Sequence, residues 1–286
     1  MNPDTPVNTT FKDSFFTKLF SETESVLSLY NALSQSKYAP ETPIEITTLK
    51  EVFYKGRYND LSFIVDGKLV VLCEHQSTIN PNLPIRMMVY AGKVYDKYLK
   101  SKKIYSSHLI QIPRPEFIVL YNGKADYPDE SFLNLSDAFF DLPEGHNSSG
   151  DLNLTVRVLN INKGHNQAIV GGSIELDGYV DIIDEIYKNK DAGLELNEAI
   201  AKAVKDCKDR NILTGFLEKY GGEIIDMLYA EFNFDEYVDT QKEEAVTARV
   251  IATVKNALGL GLSHEQVAKI ADIPVDKVES LSKGTC

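Results

Sequence analysis

Two short apolar runs, Leu61 to Val65 and Leu69 to Cys73, flank Asp66-Gly67. Asp-Gly between apolar runs is a strong hairpin signal, because the turn needs positive φ and glycine supplies it at no steric cost. Each run is of strand length and rich in Val, Ile, Leu and Phe, as expected of strands buried on both faces. Polar residues stand at the ends, with Asp60 before the first run and Glu74 and Gln76 after the second. Side chains alternate along a strand, so Glu74 and Gln76 share one face and His75 takes the other. A two-residue loop would pair residues whose numbers sum to an odd value, placing Asp60 and Glu74 on opposite faces. A three-residue loop, built as a type I turn with Gly67 left-handed, makes the sum even and brings both carboxylates to one face.

The rest of the chain alternates in period around this hairpin. Helical spacing runs from Phe11 to Ser36, and Ser21 with Glu24 three residues on reads as a capping box between two helices. Ile44 to Tyr54 reads as a strand beside the hairpin. Asn80 to Pro84 opens a helix that runs to about Lys100. Phe117 to Tyr121 reads as a buried strand, Asp126 to Gly150 as loop, and Leu152 to Ile161 as an edge strand. From Asp181 the pattern turns helical: Ile182 to Tyr187, Leu196 to Lys208, Ile212 to Tyr220 and Glu223 to Phe232. Gln241 to Leu258 is amphipathic, with Val246, Val250, Val254 and Leu258 four apart, a stripe that suits an intramolecular contact or a homodimer seam. Leu262 to Leu281 reads helix–turn–helix, with Ser263 and Gln266 as a capping box and Pro274 opening the second helix. That second helix is not basic, so it fits a packing tail better than a base-reading element. The pattern predicts an α/β fold: a mixed sheet flanked by helices, followed by a helical C-terminal region. The expected divisions are residues 11–190 as the α/β core, 191–240 as a helical layer on it, and 241–286 as the amphipathic helix and tail.

Charge sharpens this division. The chain of 286 residues carries a net charge of −12, but residues 1–124 hold 15 Lys+Arg against 12 Asp+Glu, net +3. The acidity therefore lies behind the hairpin, which is tolerable for a nucleic-acid enzyme. Three widely spaced cysteines suit reduced thiols and an intracellular, cytoplasmic setting. No apolar run reaches membrane-spanning length. Zinc-ligand spacing, a phosphate-binding Gly-x-x-x-x-Gly-Lys loop and a Gly-x-Ser-x-Gly elbow are all missing, which counts against those enzyme classes.

Two readings of the strand ends compete. Asp60 and Glu74 are either ordinary strand-end charges reaching solvent or a pair converging on a divalent cation. Oxygen ligands suit Mg²⁺ or Mn²⁺, ions that activate water and stabilise charge on a phosphate. On the predicted helix after Gln76, Arg86, Lys93, Lys97 and Lys100 fall within about 60° of one another at about 100° per residue. This stripe is either a solvated face or a phosphate track.

The Asp, the short hairpin and Glu74-His75-Gln76 are together similar to the PD-(D/E)-x-K nuclease core, with Gln76 where most members carry lysine. More narrowly, Glu74-His75-Gln76-Ser77 followed by Leu83-Pro84-Ile85-Arg86-Met87-Met88-Val89-Tyr90 resembles the recombination-promoting nucleases, a group also labelled transposases. The resemblance continues through Asp13 to Phe20, Phe117 to Gly123 and Asn197 to Phe234, with Thr17 where the family pattern usually has lysine. It implies a Mg²⁺- or Mn²⁺-dependent DNA endonuclease serving recombination or defence. Asp60, Glu74 and the backbone carbonyl of His75 would be the metal ligands. Asp60, Glu74 and Gln76 would be the catalytic residues, Gln76 orienting water or contacting phosphate without the positive charge of lysine. Arg86, Tyr90, Lys93 and Lys97 would contact DNA, Arg86 and Tyr90 being those that match the family segment. Asp13 and Glu24 are further acidic candidates near the metal, capping being the stronger reading of Glu24. A nuclease-fold protein that binds DNA or a partner without cutting is one alternative, and a helical interaction protein with the sheet as scaffold, consistent with the acidity after residue 124, is another.

Overall fold

In the computed structural model the residues described are 15–47, 61–140 and 152–282. Asp13, Lys55, Arg57, Asp60 and His146 lie outside them, as does most of the strand read over Ile44 to Tyr54. The chain divides into two compact units, residues 1–229 and 230–286.

The first unit is built on a mixed sheet. Its strands are β1 (Ile44–Ile46), β2 (Leu61–Val65), β3 (Leu69–Gln76), β4 (Arg114–Tyr121), β5 (Glu130–Asn134) and β6 (Thr155–Asn160), in the order β1-β2-β3-β4-β6-β5. β3, β4 and β6 run parallel, and the outer pairings are antiparallel. The fold is thus the α/β mixed sheet that the pattern implied. β6 is not an edge strand, because β5 covers it. β5 falls inside the stretch read as loop: it is half exposed, with Phe132 facing out, so it carries no buried-strand signature.

The hairpin has the even register. Leu61 lies opposite Cys73 and Val65 opposite Leu69, closing a three-residue loop. The turn differs in kind from the one expected. Asp66 as well as Gly67 is left-handed, at φ 49° and 64°, and Lys68 N donates to Val65 O at 3.0 Å. This is the I′ geometry that matches strand twist, with Lys68 as the extra residue. Aspartate tolerates the left-handed region better than most residues, which makes Asp66 a suitable first centre of the turn.

The helices of this unit are α1 (Phe15–Leu19), α2 (Thr23–Ser34), α3 (Leu83–Leu99), α4 (Gln167–Val170), α5 (Ile174–Asp191) and α6 (Leu196–Asp209), with the start of α7 (Thr214–Gly259). α1 and α2 meet near Ser21 as expected, but Glu22 occupies the cap position of α2 with no side-chain cap bond, so the Ser21 box does not form. Glu24 is exposed in the first turn of α2, where an acidic side chain complements the helix dipole. α5 begins at Ile174, earlier than read, because Ser173 accepts from Leu176 N and caps it.

α3 covers one face of the sheet. Leu83, Met87, Tyr90 and Val94 pack on Ile64, Leu72, Val119, Tyr121, Val156 and Val158. Phe63, Val65, Val71, Cys73, Ile118, Leu120 and Leu159 are buried on the other face. There Tyr30 of α2 meets the Phe63 ring edge-on, and its hydroxyl donates to Glu116 Oε2 at 3.1 Å. Burial and the neighbouring carboxylate push the Tyr30 phenol up from its ordinary value. Cys73 is a small core side chain, as expected, and Cys207 is likewise buried.

In the second unit, α8 (His264–Ala271) and α9 (Val275–Ser282) pack with the end of α7 around Val254, Ala257, Val267, Ala268 and Val278. The expected capping box is present: Ser263 Oγ accepts from Gln266 N, and Gln266 reaches back to Ser263 N. Val250, Val254 and Leu258 of the stripe serve this small core, while Val246 is exposed. Three segments read as separate helices between Ile212 and Leu258 form the single helix α7. Among the described residues no helix is long and apolar enough to cross a membrane.

Candidate active site

The site is assembled where β3 ends and α3 begins. Along β3, Leu72, Glu74 and Gln76 point to the α3 side, while Cys73 and His75 point to the opposite face. A loop of only six residues then turns the chain into α3, so the first turn of the helix comes back over the strand end. Pro84 suits that first turn, where its missing N–H costs nothing.

Glu74 is 1 % exposed, an unusual place for a carboxylate, and its surroundings explain how it is held. Gln76 Nε2 donates to Glu74 Oε2 at 2.6 Å. Arg86 Nη2 donates to the same oxygen at 2.9 Å, from a side chain 21 % exposed. Arg86 also lies over the Tyr90 ring, 6.0 Å from its centroid. Sequence spacing placed Arg86 near the strand end but gave no sign that it would meet Glu74. The positive charge that Gln76 lacks is therefore supplied from α3.

The His75 ring lies on the opposite face of the sheet from this cluster. It stacks on Phe16 at 5.2 Å, and Tyr179 of α5 meets it edge-on with its hydroxyl 2.8 Å from Nε2. Asn122 Nδ2 donates to the same hydroxyl at 3.3 Å. Only the backbone of His75 belongs to the Glu74 side. Burial pushes the imidazole down from its ordinary 6.5 to about 4. As pH falls the unfolded chain takes up this proton first, so stability is full above about 6.5 and is lost between there and about 4. The expected loss is about 3 kcal/mol, at about 1.4 kcal/mol per pH unit. Urea denaturation of the protein and of His75→Gln at pH 7 and pH 5 checks this: the variant should show a smaller pH difference.

The backbone beside the site leaves no slack. Asn122 N donates to Gln76 O at 3.1 Å, and the chain then passes so close that a Cβ on Gly123 would lie 1.8 Å from Ser77 O and 2.6 Å from the Tyr121 ring. Only glycine allows this approach. Gly123→Ala should force the ends of β3 and β4 apart and cost about 2 kcal/mol in urea denaturation.

The remaining predicted contacts divide by exposure. Lys97 is exposed and Lys93 half-buried on α3, and neither has an ion-pair partner among the described residues. Tyr90 is 2 % exposed, so it supports Arg86 and the core and offers no surface to a ligand. This corrects the expectation of a direct Tyr90 contact to DNA.

The described residues bring one carboxylate, Glu74, with the Gln76 amide and the His75 backbone, to the strand end. Among them no group of three or more His, Cys, Asp or Glu side chains gathers as a metal-holding cluster. The donor types fit a hard cation that takes oxygen ligands, provided a further carboxylate joins them. Asp60, directly before Leu61, lies outside the described residues.

No curated protein and no solved structure matches the chain. A family model matches residues 51–168, which span Asp60, Glu74, Gln76, Arg86, Lys93 and Lys97, and the match suggests a nuclease-like or transposition role. The model that matches is that of the family described as "Putative transposase, YhgA-like", a family within the PD-(D/E)-x-K nuclease superfamily, and it covers less than half of the chain.

Proposed function

We propose that the protein is a metal-dependent DNA endonuclease, with Glu74 as the central metal ligand. The observation that carries this reading is a fully buried carboxylate at the end of a central strand, with an amide and a guanidinium directed at one of its oxygens. Such a group is costly to bury unless it serves a purpose there. Asp60, Glu74 and the His75 carbonyl would hold Mg²⁺ or Mn²⁺. The ion would supply Lewis-acid activation of water and neutralise charge on the phosphate.

The chain's own residues do the rest. The register of β2 and β3 is even, the one that the expected sharing of a face by Asp60 and Glu74 requires. Gln76 holds the carboxylate orientation through one N–H; its carbonyl oxygen would accept from water, or its second N–H would donate to a phosphate oxygen. Arg86 is near enough to hand its charge from Glu74 to a phosphate oxygen when a cation arrives, which would offset the loss of the motif lysine. Lys93 and Lys97 extend positive charge along α3 for the DNA backbone.

One observation favours a second reading. The Glu74 carboxylate faces the Arg86 guanidinium of the chain itself, as it would in a silent DNA-binding module. Calorimetric titration with Mn²⁺ separates the two. The nuclease reading expects saturable binding in the protein that disappears in Glu74→Gln and weakens in Asp60→Asn. An absence of binding in the unaltered protein would leave only the silent module.

A further inference from the structure

We propose that the outer face of α3 and the loop that follows it form a binding track for an unpaired DNA strand, leading away from the Glu74 site. The link to cleavage rests on the nuclease reading above, but the binding does not. Between Lys93 and Arg114 the chain carries six basic residues and one acidic one, Asp96, in a protein of net charge −12. Lys97, Lys100, Lys102, Lys103 and Arg114 are all exposed. None of the five has an ion-pair partner among the described residues. Arg86 marks one end of this surface and Lys100, about 21 Å along the helix axis, the other.

The loop from Lys100 to Pro113 adds what a phosphate track lacks. Tyr105 is 98 % exposed and Leu109 93 %, with Ile104 and Ile112 about half exposed. Large apolar groups set out in this way mark an interaction site rather than a solvated turn. The loop is nonetheless shaped. Lys102 N donates to Leu99 O at 2.8 Å, Ser106 N to Lys103 O at 2.9 Å, and Tyr95 Oη to Pro113 O at 2.6 Å. Its far end is tied to the hairpin, where Arg114 N donates to Lys68 O at 2.8 Å.

Charge and aromatic exposure together select the partner. A duplex offers phosphates to the lysines but keeps its bases stacked, so Tyr105 and its apolar neighbours would gain nothing from it. An unpaired strand offers phosphates and free base faces at once, and aromatic side chains between lysines are how proteins hold one. The track therefore selects a substrate with a single-stranded segment flanking the cleavage site, such as an overhang, a flap or an opened end.

The test is fluorescence anisotropy of labelled oligo-dT and of a duplex of equal length, with the full chain in EDTA so that no cleavage intervenes. The protein should bind oligo-dT more tightly than duplex. Tyr105→Ala, at an exposed position, should weaken oligo-dT binding about tenfold and leave duplex binding unchanged. Lys102→Glu with Lys103→Glu should weaken both and flatten the salt dependence. Equal binding of oligo-dT by Tyr105→Ala, a preference for duplex, or binding of phosphatidylserine vesicles in place of DNA would each overturn the track. If these dependences hold in a protein that cleaves nothing with Mg²⁺ or Mn²⁺, the track stands and the nuclease reading fails.

Discussion

Glu74→Gln is expected to lower Mg²⁺- or Mn²⁺-dependent DNA cleavage by more than about a hundredfold while leaving the fold in place. Changes to residues that merely orient metal ligands cost about ten- to a hundredfold, so removal of a ligand's charge should exceed that. The substitution is nearly isosteric, which matters at a position 1 % exposed. The amide can still accept from Gln76 Nε2 and Arg86 Nη2, so the two contacts at 2.6 and 2.9 Å keep their geometry. What disappears is the negative charge that a hard cation needs. Circular dichroism and oligo-dT binding should be unchanged. A proportional loss of structure would show that the effect runs through folding.

Arg86→Ala is expected to destabilise the protein by about 3 kcal/mol, because it leaves the Glu74 carboxylate buried without its guanidinium. The sequence treats Arg86 as a surface DNA contact, for which truncation would cost next to nothing. The structure makes it half of a buried pair. Arg86→Met combined with Glu74→Gln removes both charges and should return stability to within about 1 kcal/mol of the unaltered protein. Urea denaturation of Arg86→Met, Glu74→Gln and the double variant measures this coupling. If Arg86→Ala unfolds at the same urea concentration as the unaltered protein, the pair is not what holds Glu74. The double variant should be stable and inactive, which separates the structural part of the pair from the catalytic one.

The hairpin and the helix after it could be read from residue order because their signals are local. Asp66-Gly67 marks the turn, two apolar runs of strand length flank it, and Pro84 marks the start of α3. The capping box at Ser263 and Gln266 was legible for the same reason. Ser21 and Glu24 show the same spacing without the box, since the backbone places Glu22 at the cap position. Spacing alone does not reveal which residue starts a helix. β5 escaped notice because a half-exposed edge strand such as Glu130–Asn134 has no apolar alternation to read. α7 was read in pieces because Gly221-Gly222 looks like a break, although glycine only weakens a helix and does not end one.

The site itself was legible only in part. Alternation along β3 separates Glu74 and Gln76 from His75, and the structure shows that division. The meeting of Arg86 with Glu74, and of Tyr179 with His75 across 104 residues of chain, depends on how helices fold back over the sheet. Nothing in the local pattern encodes such contacts. Tyr90 shows the reverse error: its place in the family-like segment marks it as a DNA contact, yet the sheet beneath α3 buries it.

The central claim is that Glu74 and Asp60 hold a metal that cuts DNA, and supercoiled-plasmid cleavage tests it most directly. The purified protein, Asp60→Ala and Glu74→Ala would be compared with Mg²⁺, Mn²⁺ or EDTA. Nicking or linearisation by the unaltered protein that needs the metal and vanishes in both variants is the predicted result. No cleavage with either ion, or cleavage that survives both substitutions, would contradict it.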